Sequence, residues 1–217
     1  PASGALGLKA GGYWPNNASK GIANHQSSIF LFDPDTGQCR AMLAGNTITA
    51  LRTAAAAAVS IDRLAIDNPT TLGLVGTGHQ SAFQLEAALR VRSFDQILIW
   101  NRSKRDLARH HEVAEYYGVK CREADLEVVV RSAQVIITIT SCFESLFPGE
   151  WVSPGTHLAA MGTDTKGKQE LDPSLTHRAL RFTDEIVQSR TIGEFQHLSP
   201  ESDRKTIGAV ITGTEKG

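Results

Sequence analysis

Cysteine is scarce: there are three, Cys39, Cys121 and Cys142, and no two stand at C-x-x-C spacing. That excludes a disulfide framework and a zinc site of the usual spacing. No metal is expected, and a reducing, cytoplasmic setting is. A dominant charge is lacking too. The 22 Lys and Arg are matched by 23 Asp and Glu, for a formal net charge of −1, so no basic field calls for nucleic acid or an anionic membrane. No apolar run reaches the roughly 20 residues of a spanning helix, and no signal-peptide pattern is visible. What remains is ordinary globular composition, 41% hydrophobic and 21% charged, over a length that suits one large domain or one domain plus part of another. The chain opens at Pro1 without a methionine and stops at Gly217 with no evident closing element, as expected of a fragment or a cleaved chain.

The most informative stretch is Leu72-Gly73-Leu74-Val75-Gly76-Thr77-Gly78-His79-Gln80, followed at once by the helical pattern from Ser81 to Leu89. Strand, Gly-x-Gly turn and helix in that order make a phosphate cradle. Gly76 allows the tight turn, Gly78 lets backbone approach a pyrophosphate, and the helix start offers free N–H groups and positive dipole. Thr77, His79 and Gln80 line that turn. Ser81 replaces the usual third glycine, and an ordinary strand–helix turn is the structural alternative.

The next strand, Gln96-Ile97-Leu98-Ile99-Trp100, ends in Asn101-Arg102-Ser103. This is where a dinucleotide domain reads the adenosine ribose. An acidic residue there selects NAD, whereas an Arg accommodates a 2′-phosphate. Arg102, with Lys104 close behind, therefore favours NADP(H), with NAD(H) as the other option. The alternative is that Arg102 belongs to the solvated start of a helix rich in Lys104, Arg105 and Arg109.

Residues 1–50 read as β-rich, with a strand at Ser28-Ile29-Phe30-Leu31-Phe32, a turn at Asp33-Pro34-Asp35-Thr36-Gly37 and a hairpin partner from Arg40 to Ala44. A helix is expected over residues 49–66, with five alanines from Ala54 to Ala58, ended by Asn68-Pro69. From Leu72 strands and helices alternate, with further strands at Val119-Lys120-Cys121, Val135 to Ile139, His157 to Gly162 and Arg181-Phe182-Thr183. The fold class is α/β: a Rossmann-type, doubly wound parallel sheet plus a discontinuous β-rich substrate and dimerisation domain. The expected division is 1–50 for the first part of that domain, 51–69 for a linking helix, 70–189 for the dinucleotide domain and 190–217 for a return to the first.

Five segments together, Gly7-Leu8-Lys9, Thr49-Ala50-Leu51-Arg52-Thr53-Ala54-Ala55, Val75 to Gln80, Met161-Gly162-Thr163-Asp164 and Gly167-Lys168-Gln169-Glu170-Leu171-Asp172, resemble the ornithine cyclodeaminase/mu-crystallin family. The resemblance covers nearly the whole chain. It implies a homodimer of two-domain subunits and hydride transfer between nicotinamide and an α-amino or α-imino carbon beside a carboxylate. By matching positions it assigns Lys9 and Arg52 to the substrate carboxylate, and Lys9 and Asp164 to catalysis. Residue chemistry agrees. A guanidinium clamps a carboxylate in two bonds, burial would make Lys9 a usable acid, and Asp164 follows a strand at its carboxyl end, where such sheets bind ligands. Thr138, Thr140, Ser141 and Met161 end strands near the expected nicotinamide. Each has a structural alternative: a solvated lysine for Lys9, a salt bridge for Arg52, a turn or cap for Asp164, helix capping for Thr138, Thr140 and Ser141.

The expected reaction is NAD(P)H-dependent reduction of a cyclic α-imino acid, such as Δ1-pyrroline-2-carboxylate, to the L-amino acid of proline metabolism. An ornithine cyclodeaminase or an alanine-type dehydrogenase is the runner-up. A mu-crystallin-like NADP-dependent binding protein is the alternative of another class, against which the carboxylate of Asp164 speaks.

Overall fold

The computed structural model describes residues 4–217; residues 1–3 of the expected 1–50 segment lie outside the described residues. The chain forms two compact units, one running to Arg52 and the other from Thr53 to Gly217.

In the first unit β1 (Leu6–Tyr13), β2 (His25–Phe32) and β3 (Cys39–Ala44) form an antiparallel sheet in sequence order. The β2–β3 turn is built by Asp33, whose Oδ1 accepts from the backbone N–H of Asp35 (3.0 Å) and Thr36 (2.9 Å). Gly37 closes it at φ +71°, a conformation that favours glycine. The helix α1 (Gly45–Leu64) follows β3 directly and starts four residues earlier than the sequence pattern indicated. Polar contacts to β2 fix that start. Asn46 Oδ1 accepts from the Ser27 N–H (2.8 Å), and a Cβ on Gly45 would stand 2.5 Å from Ser27 Oγ.

The second unit is built on five parallel strands, β4 (Thr71–Val75), β5 (Gln96–Trp100), β6 (Lys120–Glu123), β7 (Val135–Thr138) and β8 (His157–Ala160), in the order β6-β5-β4-β7-β8. The central β4 is buried along its length, as the continuous apolar run requires. Alternate residues feed two cores. Leu72, Leu74, Ile97, Ile99, Val135 and Ile137 pack against α1, α2 (Ser81–Val91) and α3 (Ala108–Tyr116). Val75, Leu98 and Ile136 pack against α4 (Leu126–Ser132) and α5 (Pro173–Arg178). Each fully buried Leu or Ile contributes roughly 1.5–3 kcal/mol. Strand order reverses between β4 and β7, so the switch point of this doubly wound sheet lies at the carboxyl ends of Val75 and Thr138, which are paired in register.

One strand falls elsewhere. Phe182–Thr183 (β9) leaves the large sheet and pairs in parallel with Lys205–Thr206 (β10). The reason is local: Arg181 is drawn to carbonyls, donating to Thr176 O (3.0 Å) and Asp203 O (2.7 Å). Residues 190–217 pack in the second unit, ending in α6 (Ile207–Ile211). No helix among the described residues is long and apolar enough to cross a membrane.

Candidate active site

The glycine turn occupies the switch point. Gly76 has φ +107°, and a Cβ there would come within 2.8 Å of Ile139 O and 2.9 Å of Thr140 Cγ2. Only glycine lets the ends of β4 and β7 run this close. Gly78 differs: no atom lies within 4 Å of its absent Cβ, so its backbone faces open space that a ligand can approach. Ser81 does more than stay small. Its hydroxyl donates to Gly78 O (2.7 Å) and lies 2.8 Å from His110 Nε2, tying the turn to α3. Burial, chiefly, lowers the His110 pKa. No side chain caps the start of α2, which leaves its amides available to an anion. Gln80 Oε1 beside them is buried without a hydrogen-bond partner, while His79 is exposed and packs its ring on Phe83 at 5.8 Å between centroids.

Beyond β5 lies a cleft of about 590 Å³, lined by Trp100, Arg102, Lys104, Arg122, Glu123 and Asp125 among others. Asn101 is buried beneath it. Its Oδ1 accepts from Thr77 Oγ1 (2.8 Å) and from the Arg105 N–H (3.0 Å), and its Nδ2 donates to Arg105 O (2.7 Å). Thr77 and Asn101 thus bind each other and brace the turn against the β5–α3 loop. Arg102 and Ser103 are exposed, with Arg102 Nη1 3.7 Å from Cys142 Sγ. Lys104 pairs with Glu123 across the cleft, and that hydrogen bond raises the lysine's pKa.

At the ends of β7 and β8 a buried carboxylate organises the backbone. Glu170 Oε1 accepts from the N–H and the hydroxyl of Thr140 (both 2.6 Å). Its Oε2 accepts from Thr138 Oγ1 (2.8 Å) and the Gly162 N–H (2.9 Å). Burial is the largest influence on Glu170 and raises its pKa against the pull of these four donors. The hydroxyls of Thr138 and Thr140 are therefore turned inward on Glu170. Ser141 is exposed, and the Met161 N–H donates to Thr138 O (2.8 Å). Asp164 stands four residues past β8, its side chain 58% exposed, and receives Lys168 Nζ at 2.6 Å. That ammonium is itself buried and also reaches Gly162 O at 3.3 Å.

The first unit brings Lys9 and Arg52 together. Lys9 Nζ donates to Thr49 Oγ1 (2.6 Å), and Thr49 precedes Arg52 by three residues on α1, so both cations serve one helix face. Partial desolvation, then the charge of Arg52, lowers the Lys9 pKa. Arg52 is thus near enough for its charge to disfavour the protonated lysine.

Three side chains escaped sequence reasoning as site residues: Lys168, Glu170 and Glu194. Glu194 Oε1 and Oε2 accept from the N–H groups of Glu170 (2.8 Å) and Leu171 (3.1 Å). Burial, as the largest cause, pushes its pKa up to about 7. For Lys168 and Glu170 the available signal was the Gly167-to-Asp172 segment itself, where the two charges flank Gln169 just before apolar Leu171. Among the described residues no group of three His, Cys, Asp or Glu side chains converges as a metal would need.

Open parallel sheets bind dinucleotides where strand order reverses, and here the cradle that only glycine fits, the open approach at Gly78 and the orphaned Gln80 oxygen all suit such a group. The class is that of Rossmann-type dinucleotide enzymes. The lineage follows from comparison: the chain belongs to the ornithine cyclodeaminase/mu-crystallin family, whose model matches residues 1–217, and it is an oxidoreductase of that family. It is 51% identical to the iminosuccinate reductase of Paracoccus denitrificans over 217 residues, 98% of this chain and 68% of that protein. The crystal structure of that reductase with NAD+ superposes with a TM-score of 0.89 at 49% identity, covering 100% of this chain and 69% of the other. The Δ1-pyrroline-2-carboxylate reductase of Thermococcus litoralis, solved with NADH and L-proline, gives 0.92 at 25% identity over 100% of this chain and 70% of that one. An archaeal alanine dehydrogenase dimer with bound NAD gives 0.88 at 30% identity, over 99% and 68%.

Proposed function

We propose that the protein reduces an α-imino acid to the corresponding amino acid with a nicotinamide dinucleotide, and that its substrate is an acyclic imino dicarboxylate of the iminosuccinate kind. The observation that carries the reaction type is Asp164, an exposed carboxylate past the carboxyl end of β8, held by a buried lysine. The identity to an iminosuccinate reductase supports the substrate. A cyclic imine such as Δ1-pyrroline-2-carboxylate is the second reading, favoured by the likeness to the Thermococcus enzyme.

In this reading Gly76 to Gln80 hold the pyrophosphate, with Arg102 and Ser103 at the adenosine ribose and Thr138, Thr140, Ser141 and Met161 at the nicotinamide end. Bound there, the dinucleotide supplies a hydride to the imino carbon. The chain's own groups do the rest. Lys9 and Arg52 pair with the α-carboxylate, and Asp164 holds the imine nitrogen and delivers the proton that completes the amine. The bonds balance: C=N gains a hydride at carbon and a proton at nitrogen.

NADH is the proposed cofactor, since neighbours carry NAD+ or NADH, and the basic residues of the adenosine cleft keep NADPH as the second. Two carboxylates, Glu123 and Asp125, share that cleft with Arg102, Lys104 and Arg122, so its charge is largely offset. Replacing Arg102 with Ala is expected to raise the KM for NADPH about tenfold and that for NADH by less than about threefold. A homodimer is proposed from the dimeric alanine dehydrogenase. Steady-state assays with iminosuccinate formed from oxaloacetate and ammonia, with Δ1-pyrroline-2-carboxylate, and with L-ornithine plus catalytic NAD decide the reaction. Loss of nicotinamide absorbance with the first supports the proposal. Ammonia release from ornithine, or no turnover of any imine, refutes it.

A further inference from the structure

Glu170 has four hydrogen-bond donors on two oxygens, and those donors come from two different strand ends. Thr138 and Thr140 belong to the end of β7, while Gly162 belongs to the end of β8. A second buried carboxylate, Glu194, clamps the backbone of Glu170 and Leu171 from behind. In front, the Gly162 carbonyl accepts from Lys168, which holds Asp164. A continuous chain of contacts therefore runs from Glu194 through Glu170 to both strand ends and on to the exposed carboxylate.

We propose that Glu170 is the positioning residue of the nicotinamide half-site: it fixes the spacing of the carboxyl ends of β7 and β8, and with it the place of Asp164. The inference rests on the cofactor site proposed above. A carboxylate is required by the geometry of the donors. The two backbone N–H groups, from Thr140 and Gly162, point at different oxygens. A glutamine amide has one acceptor oxygen, so in either orientation one backbone N–H would face an NH2 group. Leaving a buried donor unpaired forces the backbone to move. The movement would fall chiefly on the β7–β8 side of the cofactor site, with the Gly76 turn beside Thr140 next in line. The adenosine cleft is made by the ends of β5 and β6, on the far side of β4 from β7 and β8.

That asymmetry supplies the test. Calorimetric binding of NADH and of ADP-ribose, which lacks the nicotinamide, is compared for the full chain and its Glu170→Gln variant. The Kd for NADH is expected to rise about tenfold, and that for ADP-ribose to stay within about twofold. Equal weakening of both ligands marks a general structural role and overturns the proposal, as does no change in either. Should Glu170→Gln fail to fold, Glu194→Gln serves, since Glu194 is outside the proposed cofactor residues and hydrogen-bonds Glu170 through its backbone N–H. A selective loss of about threefold for NADH is expected there, and its absence is equally decisive. A wild-type protein that binds NADH but reduces no imine removes the proposed reaction and leaves this comparison readable.

Discussion

At the scale of single residues, Asp164 and Lys168 show how chemistry emerges from a pair. An exposed aspartate alone is an ordinary turn residue. Fixed by Lys168, a residue only 8% exposed, it keeps Oδ1 on the ammonium while its side chain stays 58% exposed. Asp164→Asn keeps the shape and removes the proton carrier, so kcat for imine reduction is expected to fall about 100-fold or more, with NADH binding preserved. Initial rates and calorimetry check this together, and an unchanged kcat would remove Asp164 from the mechanism. Asp164 stood out as a candidate in the sequence because it follows a strand in a recognisable segment, as did Lys9 and Arg52 through the same resemblance. Lys168 and Glu170 were not. Charged residues are almost never fully buried, so in sequence both read as surface charges; only the folded chain shows Glu170 wrapped in four donors.

At the scale of elements, the β4–α2 unit was readable almost to the residue, because an apolar run of five, a glycine turn and a helical period leave one arrangement open. The strand ends were less so. Gly162 looks like any glycine after a strand, yet a Cβ there would stand 2.4 Å from Thr140 O and 2.5 Å from Glu170 Oε1. Gly78 looks more important, yet a Cβ there meets nothing within 4 Å. The two alanine variants should therefore separate folding from binding. Gly162→Ala is expected to destabilise the protein by about 1–3 kcal/mol, because backbone and a buried carboxylate must move. Gly78→Ala should leave the unfolding midpoint in urea unchanged and weaken dinucleotide binding, since the methyl group occupies the approach to the turn. Equal stability of the two variants would contradict this account. The strand at Phe182–Thr183 was expected, but its partner was beyond sequence reading: two residues carry no period, and contacts of Arg181 decide where they pair.

At the scale of the whole molecule, a half-buried histidine and a buried glutamate pull the pH response of folding in opposite directions. His157, at the start of β8, lies with Nε2 3.1 Å from Ser60 Oγ of α1. Burial pushes its pKa down from 6.5 to about 4. The folded chain refuses a proton that the unfolded chain accepts, so its contribution is complete above pH 6.5 and is lost as pH falls toward 4. Glu194 runs the other way. Burial, the largest cause, lifts it from 4.5 to about 7, so the folded chain keeps a proton that the unfolded chain has released. Its contribution is complete below pH 4.5 and is lost as pH rises through 7. Each displacement is worth roughly 3 kcal/mol across its window. Between pH 4.5 and 6.5 the two nearly cancel, which leaves these groups a shallow net effect in the wild type. Replacing either one exposes the other. His157→Asn should lose stability steadily as pH rises from 4.5 to 7, the direction Glu194 imposes and buried Glu170 reinforces. Glu194→Gln should shift the slope between pH 4 and 6.5 toward stability gained, the direction of His157, with buried Glu170 still pulling against it. Urea unfolding across that range distinguishes them: the Glu194→Gln slope is expected to lie well above that of His157→Asn, and parallel curves for the two variants would show that neither group titrates as its burial dictates.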